Sequence, residues 1–165
     1  MIKTDIIIIG AGPVGLFAVF EAGLMKLKCH LIDAIPEVGG QLTEIYPKKP
    51  IYDIPGYPTI LAGELINNLM EQASPFKPGF TLGERAEKIN KQVDGNFIVT
   101  TNEGTKHQAP VIMIAGGLGS FEPRKPKIDV LHNFEKKGVE LMVKDPEAFI
   151  GKKIFISGGG DSALD

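Results

Sequence analysis

Four consecutive isoleucines, Ile6-Ile7-Ile8-Ile9, run directly into Gly10-Ala11-Gly12-Pro13-Val14-Gly15, and no other stretch of the chain limits its possible folds so strongly. An unbroken β-branched run reads as a strand buried on both faces of a parallel sheet. The three glycines then have separable jobs. Gly10 allows a sharp turn, Gly12 lets backbone approach a pyrophosphate, and Gly15 lets helix and strand pack closely. Pro13 falls in the first helical turn, where its missing N–H is no loss. Val14, Phe17, Ala18 and residues 21–24 continue that helix, with Gly23 expected to loosen its end. Amides of the first turn, that of Val14 among them, would point at phosphates with the helix dipole behind them. Cys29-His30-Leu31-Ile32-Asp33 supplies the next strand and closes a βαβ unit. Asp33 stands about where a ribose-binding acid is needed, and a carboxylate there repels a 2′-phosphate. This first site therefore reads as one for FAD or NAD.

The bulk numbers fit a single soluble domain. The 165 residues are 43% hydrophobic and 23% charged, with a formal net charge of −2, which gives no support for nucleic-acid binding. One cysteine, Cys29, cannot form an internal disulfide, which fits a reducing cytosol. His30, His107 and His132 stand apart from one another and from any cysteine or acidic cluster, so they read as structural or surface residues and no metal site is expected. No apolar stretch approaches the ~18 residues of a membrane span, and no secretory cleavage pattern opens the chain. A cytoplasmic location is expected.

Residues 34–60 hold Pro36, Pro47, Pro50, Pro55 and Pro58, which predicts little regular structure. All three tyrosines, Tyr46, Tyr52 and Tyr57, sit in this loop and argue against disorder. A helix is predicted over 61–72, with Leu61, Leu65, Ile66, Leu69 and Met70 on one face. Short strands at 86–91, 96–101 and 106–108, with turns at Asp94-Gly95 and Glu103-Gly104, predict an antiparallel meander. Residues 111–114 resume a buried strand, residues after 122 read as a linker, and 128–150 show no clear pattern.

A second glycine signature closes the chain. Gly158-Gly159-Gly160-Asp161-Ser162-Ala163 follows Lys153-Ile154-Phe155-Ile156-Ser157, with Gly158, Gly160 and Ala163 in the three small-residue places. It reads as the strand (152–157) and turn that begin a second dinucleotide unit. Two such sites imply a flavin enzyme that also takes a nicotinamide, and a chain that is part of something larger.

Several further segments carry a family resemblance. Gly39-Gly40-Gln41-Leu42 through Tyr46-Pro47, residues 51–58 (IYDIPGYP), Ala115-Gly116-Gly117-Leu118-Gly119-Ser120-Phe121 with Pro123-Arg124, and the closing glycine motif resemble the thioredoxin-reductase-like ferredoxin–NADP reductases. The resemblance covers the whole chain but only about the first half of a family member. It implies an α/β fold: a Rossmann-like FAD-binding domain over 1–121 with a parallel sheet and a small antiparallel meander, a linker over 122–150, and the start of an NADP-binding domain over 151–165. It implies that Gln41 hydrogen-bonds the flavin region and Tyr46 stacks on its ring. It further implies that a backbone group at Ala86 meets the adenine, and that Phe121 lines the flavin pocket. FAD and NADPH are the implied cofactors, ferredoxin or a similar iron–sulfur protein the implied acceptor, and a homodimer the implied state of the complete protein.

Absent cysteines distinguish among relatives. The two positions of the thioredoxin-reductase dithiol, counted back from Gly158, fall on Leu141 and Lys144, followed by Asp145. With no redox dithiol, electrons must leave the flavin directly, which favours a one-electron acceptor. No side-chain acid, base or nucleophile is nominated. Lys48, Lys49, Arg124, Lys125 and Lys127 are candidates for docking an acidic partner. Two other readings stay open: a non-catalytic FAD-binding module, and a related flavoprotein with another acceptor, such as an oxygenase.

Overall fold

The computed structural model describes residues 1–119, 125–135, 137–141, 143 and 145–159. Its centre is a parallel sheet of β2 (Ile6–Ile9), β3 (Cys29–Asp33), β6 (Gly79–Leu82) and β10 (Val111–Ile114), in the order β10-β2-β3-β6. Both faces of the central strands β2 and β3 are covered, which is why they are apolar runs, whereas the edge strand β10, expected to be buried, leaves Val111 and Ile114 exposed. Alternate residues serve the two sides. Ile8 and Leu31 join the core beneath the helices, while Ile7 and Ile32 join a second core on the opposite face.

The helical layer is α1 (Pro13–Leu24) and α3 (Ala62–Ala73). Gly12 caps α1 and Pro13 opens it, as the sequence predicts. Gly23 serves packing: a side chain there would collide with the ring of Phe76. Leu65 and Ile66 of α3 are buried and Leu69 and Met70 pack against the same core. Leu61 does not join them. It lies exposed in β5 (Ile60–Leu61), which forms a two-residue antiparallel pair with β4 (Pro50–Ile51) before the helix starts. Residues 34–59 are otherwise irregular apart from the single-turn α2 (Gln41–Glu44).

The other layer is the expected meander, β7 (Ala86–Lys91), β8 (Phe97–Thr101) and β9 (Lys106–Ala109), paired antiparallel. A fourth strand, β1 (Ile2–Lys3), joins it parallel to β9. The chain thus crosses between sheets three times within a few residues, from β1 to β2, from β6 to β7 and from β9 to β10. Val99 and Ala109 press onto Ile7 and Ile32 to seal the inter-sheet core. Each fully buried Ile or Val contributes roughly 1.5–3 kcal/mol of hydrophobic free energy.

The strand expected over 152–157 does not form. Residues 152–159 have no regular structure, and Ile154, Phe155 and Ile156 are exposed. A β-strand needs neighbours for its backbone groups, and no strand among the described residues pairs with this segment. Its apolar pattern shows what the residues would bury, not what is present to cover them.

Candidate functional site

The carboxyl ends of β2, β3 and β10 open on one side of the sheet, and the glycine loop crosses there. Gly10 leaves β2 with φ +110 and donates its N–H to Ile32 O at 2.8 Å. A Cβ at Gly10 would collide with the carbonyl of Ala115, because the chain after β10 passes directly over this turn. A Cβ at Gly15 would collide with the Gly10 carbonyl and stand 3.3 Å from Ile8 Cγ2. Gly12 differs from both. Its φ is −75, and the nearest atom to an added Cβ is Gly39 O at 3.9 Å. Gly12 is therefore not needed for the turn or for packing, and it keeps one surface open above the N-terminus of α1. There the amides of Val14 and Gly15 have no intrahelical acceptor, since the first closing bond runs from Leu16 N to Gly12 O at 3.0 Å.

The peptide of Ala11 is held at both ends. Its N–H donates to Asp33 Oδ2 at 2.7 Å, and its carbonyl accepts from Gly39 N–H at 2.9 Å. Asp33 Oδ1 accepts from Ile35 N–H at 2.9 Å, so the carboxylate joins two loops at the end of β3. Gly39 and Gly40 both take positive φ, +119 and +59, and carry the loop back so that an added Cβ at Gly40 would lie 3.4 Å from Gly12 Cα. Thr43 Oγ1 donates to Val38 O at 2.9 Å and closes the turn that starts α2.

These loops enclose a cavity of about 360 Å³ whose lining includes Gly10, Gly12, Val14, Asp33, Gln41 and Tyr46. Six of the sequence-nominated residues thus meet in one cleft. Gly15 lies behind it in a packing role. A second, wider cavity of about 580 Å³ shares Pro13, Leu42 and Tyr46 with the first and continues along Ile51, Tyr52 and Ile54. Tyr46 stands where the two join.

Other nominated residues lie elsewhere. Ala86 packs against the inter-sheet core and is not among the residues lining the cleft; the segment before it is tied to β3 by Glu84 N–H donating to Asp33 O at 3.1 Å. Gly158 is exposed, with nothing within 4 Å of an added Cβ. Phe121, Gly160 and Ala163 lie outside the described residues, as do Arg124 and Lys144. Sequence reasoning missed the part played by Gly117 and Gly119, which line the cleft opposite Gln41. Their positive φ values, +53 and +85, match the glycine run that could have signalled them.

The cations suggested for docking are partly engaged within the chain. Lys48 pairs with Asp145 at 2.7 Å and approaches Glu147 at 3.7 Å, and Lys125 pairs with Glu135 at 2.8 Å. Cys29 is buried, and burial together with the nearby Asp5 carboxylate pushes its thiol above the ordinary range. No group of three or more potential metal ligands occurs among the described residues, and no described helix is long and apolar enough to cross a membrane.

No protein-family model matches the chain. All 165 residues align with curated relatives, however. The chain is 72% identical to "Ferredoxin--NADP reductase 1" of Christiangramia forsetii, 69% to the ferredoxin–NADP reductase of Flavobacterium johnsoniae and 52% to that of Mesorhizobium japonicum. It covers 47%, 47% and 48% of those proteins, so it spans about half the length of the curated relatives it matches. Among solved structures, thioredoxin reductase from T. acidophilum superposes with a TM-score of 0.63 at 21% identity, over 84% of this chain and 42% of that one. A closed cyclohexanone monooxygenase superposes with a TM-score of 0.62 at 22% identity, over 82% of this chain and 29% of that one. Likeness at such identity speaks for the fold alone. In sequence over its whole length, the chain is similar to these curated ferredoxin–NADP reductases, as its motifs implied, and its fold is like that of thioredoxin reductase.

Proposed function

We propose that the cleft holds FAD, and that the chain forms the flavin-binding part of a reductase passing electrons from NADPH to ferredoxin or a similar one-electron carrier. The observation that carries this reading is the meeting of the glycine loop, Asp33, Gln41 and Tyr46 around one cavity at the carboxyl ends of parallel strands. The fit is physical. Gly12 leaves backbone exposed where a pyrophosphate approaches, and any side chain at Gly10 would collide with the Ala115 carbonyl behind the loop.

Each residue then has a task. The Val14 and Gly15 amides bind phosphate oxygens at the positive end of α1. Asp33 holds the loop through Ala11, and its carboxylate keeps lone pairs to accept from ribose hydroxyls. Gln41 reads polar ring atoms with its amide, and Tyr46 offers an aromatic face where the two cavities join. Bound FAD would supply the redox chemistry, accepting a hydride and releasing electrons singly. The only thiol, Cys29, lies in the core, so these residues offer no dithiol as an intermediate carrier.

On this reading residues 1–121 are the FAD domain, 122–150 a linker and 151–165 the start of the NADP-binding unit. Gly158, Gly160 and Ala163 belong to that unit, Phe121 to the flavin pocket and the Ala86 backbone to the adenine. The complete protein is a cytoplasmic homodimer. Purification and reconstitution with FAD tests the cofactor: a chain with flavin absorption and quenched flavin fluorescence is expected, and one that stays colourless with excess FAD would sink the reading. NADPH-dependent reduction of ferredoxin tests the activity. Weak or absent turnover is expected from the 165 residues, because they span only about half of the reductases they resemble. Robust turnover would show that this span suffices.

A further inference from the structure

The contact between the two sheets contains one polar unit that the cleft does not use. His30 on β3 and His107 on β9 are buried, with ring centroids 4.8 Å apart. Thr81 on β6 stands between them, its Oγ1 2.8 Å from His30 Nε2 and 2.9 Å from His107 Nε2. Gly79, paired with His30 in the β3/β6 register, makes the room: a side chain there would collide with the His30 ring. The other His107 nitrogen, Nδ1, is buried with no hydrogen-bond partner.

The protons of this unit can be placed. A threonine hydroxyl has one hydrogen, so between two ring nitrogens it donates to one and accepts from the other. A proton on His107 Nδ1 would be a buried donor without an acceptor, the rarer and costlier orphan. His107 therefore carries its proton on Nε2 and donates to Thr81, and Thr81 donates to His30 Nε2. Both rings are neutral. A further proton has no place. On His107 it falls on the orphaned Nδ1; on His30 it falls on Nε2 and strips the Thr81 hydrogen of its acceptor. The surrounding charges do not rescue it. The Glu84 carboxylate favours a charged His107, the N-terminal amine opposes it, and His107 opposes charge on His30. Burial is the largest effect on both: it holds His107 below its ordinary value and pushes His30 down to about 4.

We propose that His30, Thr81 and His107 form an acid-sensitive joint between the two sheets, closed while both imidazoles are neutral and opened by protonation of either. The joint shares its strands with the cleft. Asp33 ends β3 three residues after His30, and Leu82 of β6 pairs with Asp33 next to Thr81. Opening the joint loosens the strand end from which Asp33 holds Ala11.

Unfolded histidine takes its proton near pH 6.5, so below that pH the open chain binds more protons and the closed form loses ground until about pH 4. His30 alone accounts for about a thirtyfold fall in the folding equilibrium constant between pH 8 and pH 5. Urea unfolding across this range is expected to show that loss in the unmodified chain and much less of it in the double variant His30→Gln, His107→Gln. Equal pH dependence in both would overturn the proposal. If the double variant does not fold, imidazole ¹⁵N spectra of the unmodified chain decide, with exposed His132 as the comparison signal. Both buried rings are expected neutral at pH 6 with His107 protonated on Nε2; a charged His30 or His107 in the folded chain at that pH would overturn the joint.

Discussion

The Asp33 carboxylate accepts a hydrogen bond from the Ala11 amide at 2.7 Å, tying the end of one parallel strand to the turn that leaves its neighbour. The same carboxylate accepts from Ile35 N–H, so one side chain sets the shape of two loops. Asp33→Ala leaves both donors without their acceptor and is expected to lower stability by about 1–3 kcal/mol. It should also weaken FAD binding more than tenfold. Asp33→Asn keeps one acceptor oxygen and should lose less of both. Urea unfolding and flavin titration measure the two effects; wild-type affinity in Asp33→Ala would remove Asp33 from the site.

Gly10 and Gly12 belong to the same motif but are demanded by different things. Gly10→Ala places a Cβ against the Ala115 carbonyl at a backbone φ of +110, and roughly 2–4 kcal/mol of stability should be lost. Gly12→Ala meets nothing closer than 3.9 Å, so the chain should fold with stability changed by less than about 0.5 kcal/mol. Its flavin affinity should nonetheless fall at least tenfold, because the methyl occupies the space a pyrophosphate needs. A Gly12→Ala chain that binds FAD normally would count against that placement.

Tyr46 lies between the two cavities. If its ring faces the flavin, Tyr46→Phe keeps the stacking and should bind FAD almost as the parent does. Tyr46→Ala should lose about 1–2 kcal/mol of binding free energy. Fluorescence titration of the three chains separates these outcomes, and equal affinity in all three would place the flavin ring elsewhere.

Lys48 joins the tyrosine-rich loop to residues 145–147, and its hydrogen bond holds the Asp145 carboxyl below the usual aspartate value. The lowered value means that the contact is intact at neutral pH and lost as pH falls through it. Carboxyl ¹³C titration should show the low value in the parent chain and an upward return in Lys48→Ala. Because both side chains are about half exposed, added salt should weaken the contact. A titration that Lys48→Ala leaves unchanged would mean that the pair does not form in solution.

The amino-acid order alone settles the βαβ opening, because what it requires is local: apolar residues on both faces of β2, a proline that tolerates the first helical turn, and backbone freedom at Gly10. The meander is legible for the same reason, since its turns carry their own glycines at Gly95 and Gly104. β6 is not legible. Gly79 and Thr81 on its inter-sheet side do not look like strand core, and the ring they accommodate, His30, lies about fifty residues earlier. Leu61, Ile154, Phe155 and Ile156 make the converse point: an apolar pattern marks a need for cover, and only the packed chain shows whether anything supplies it. The same holds for the cleft. Its residue types can be read along the chain, but the two-sided hold on Ala11 by Asp33 and Gly39 joins residues far apart in sequence, and only folding brings their backbone and carboxylate within hydrogen-bonding range.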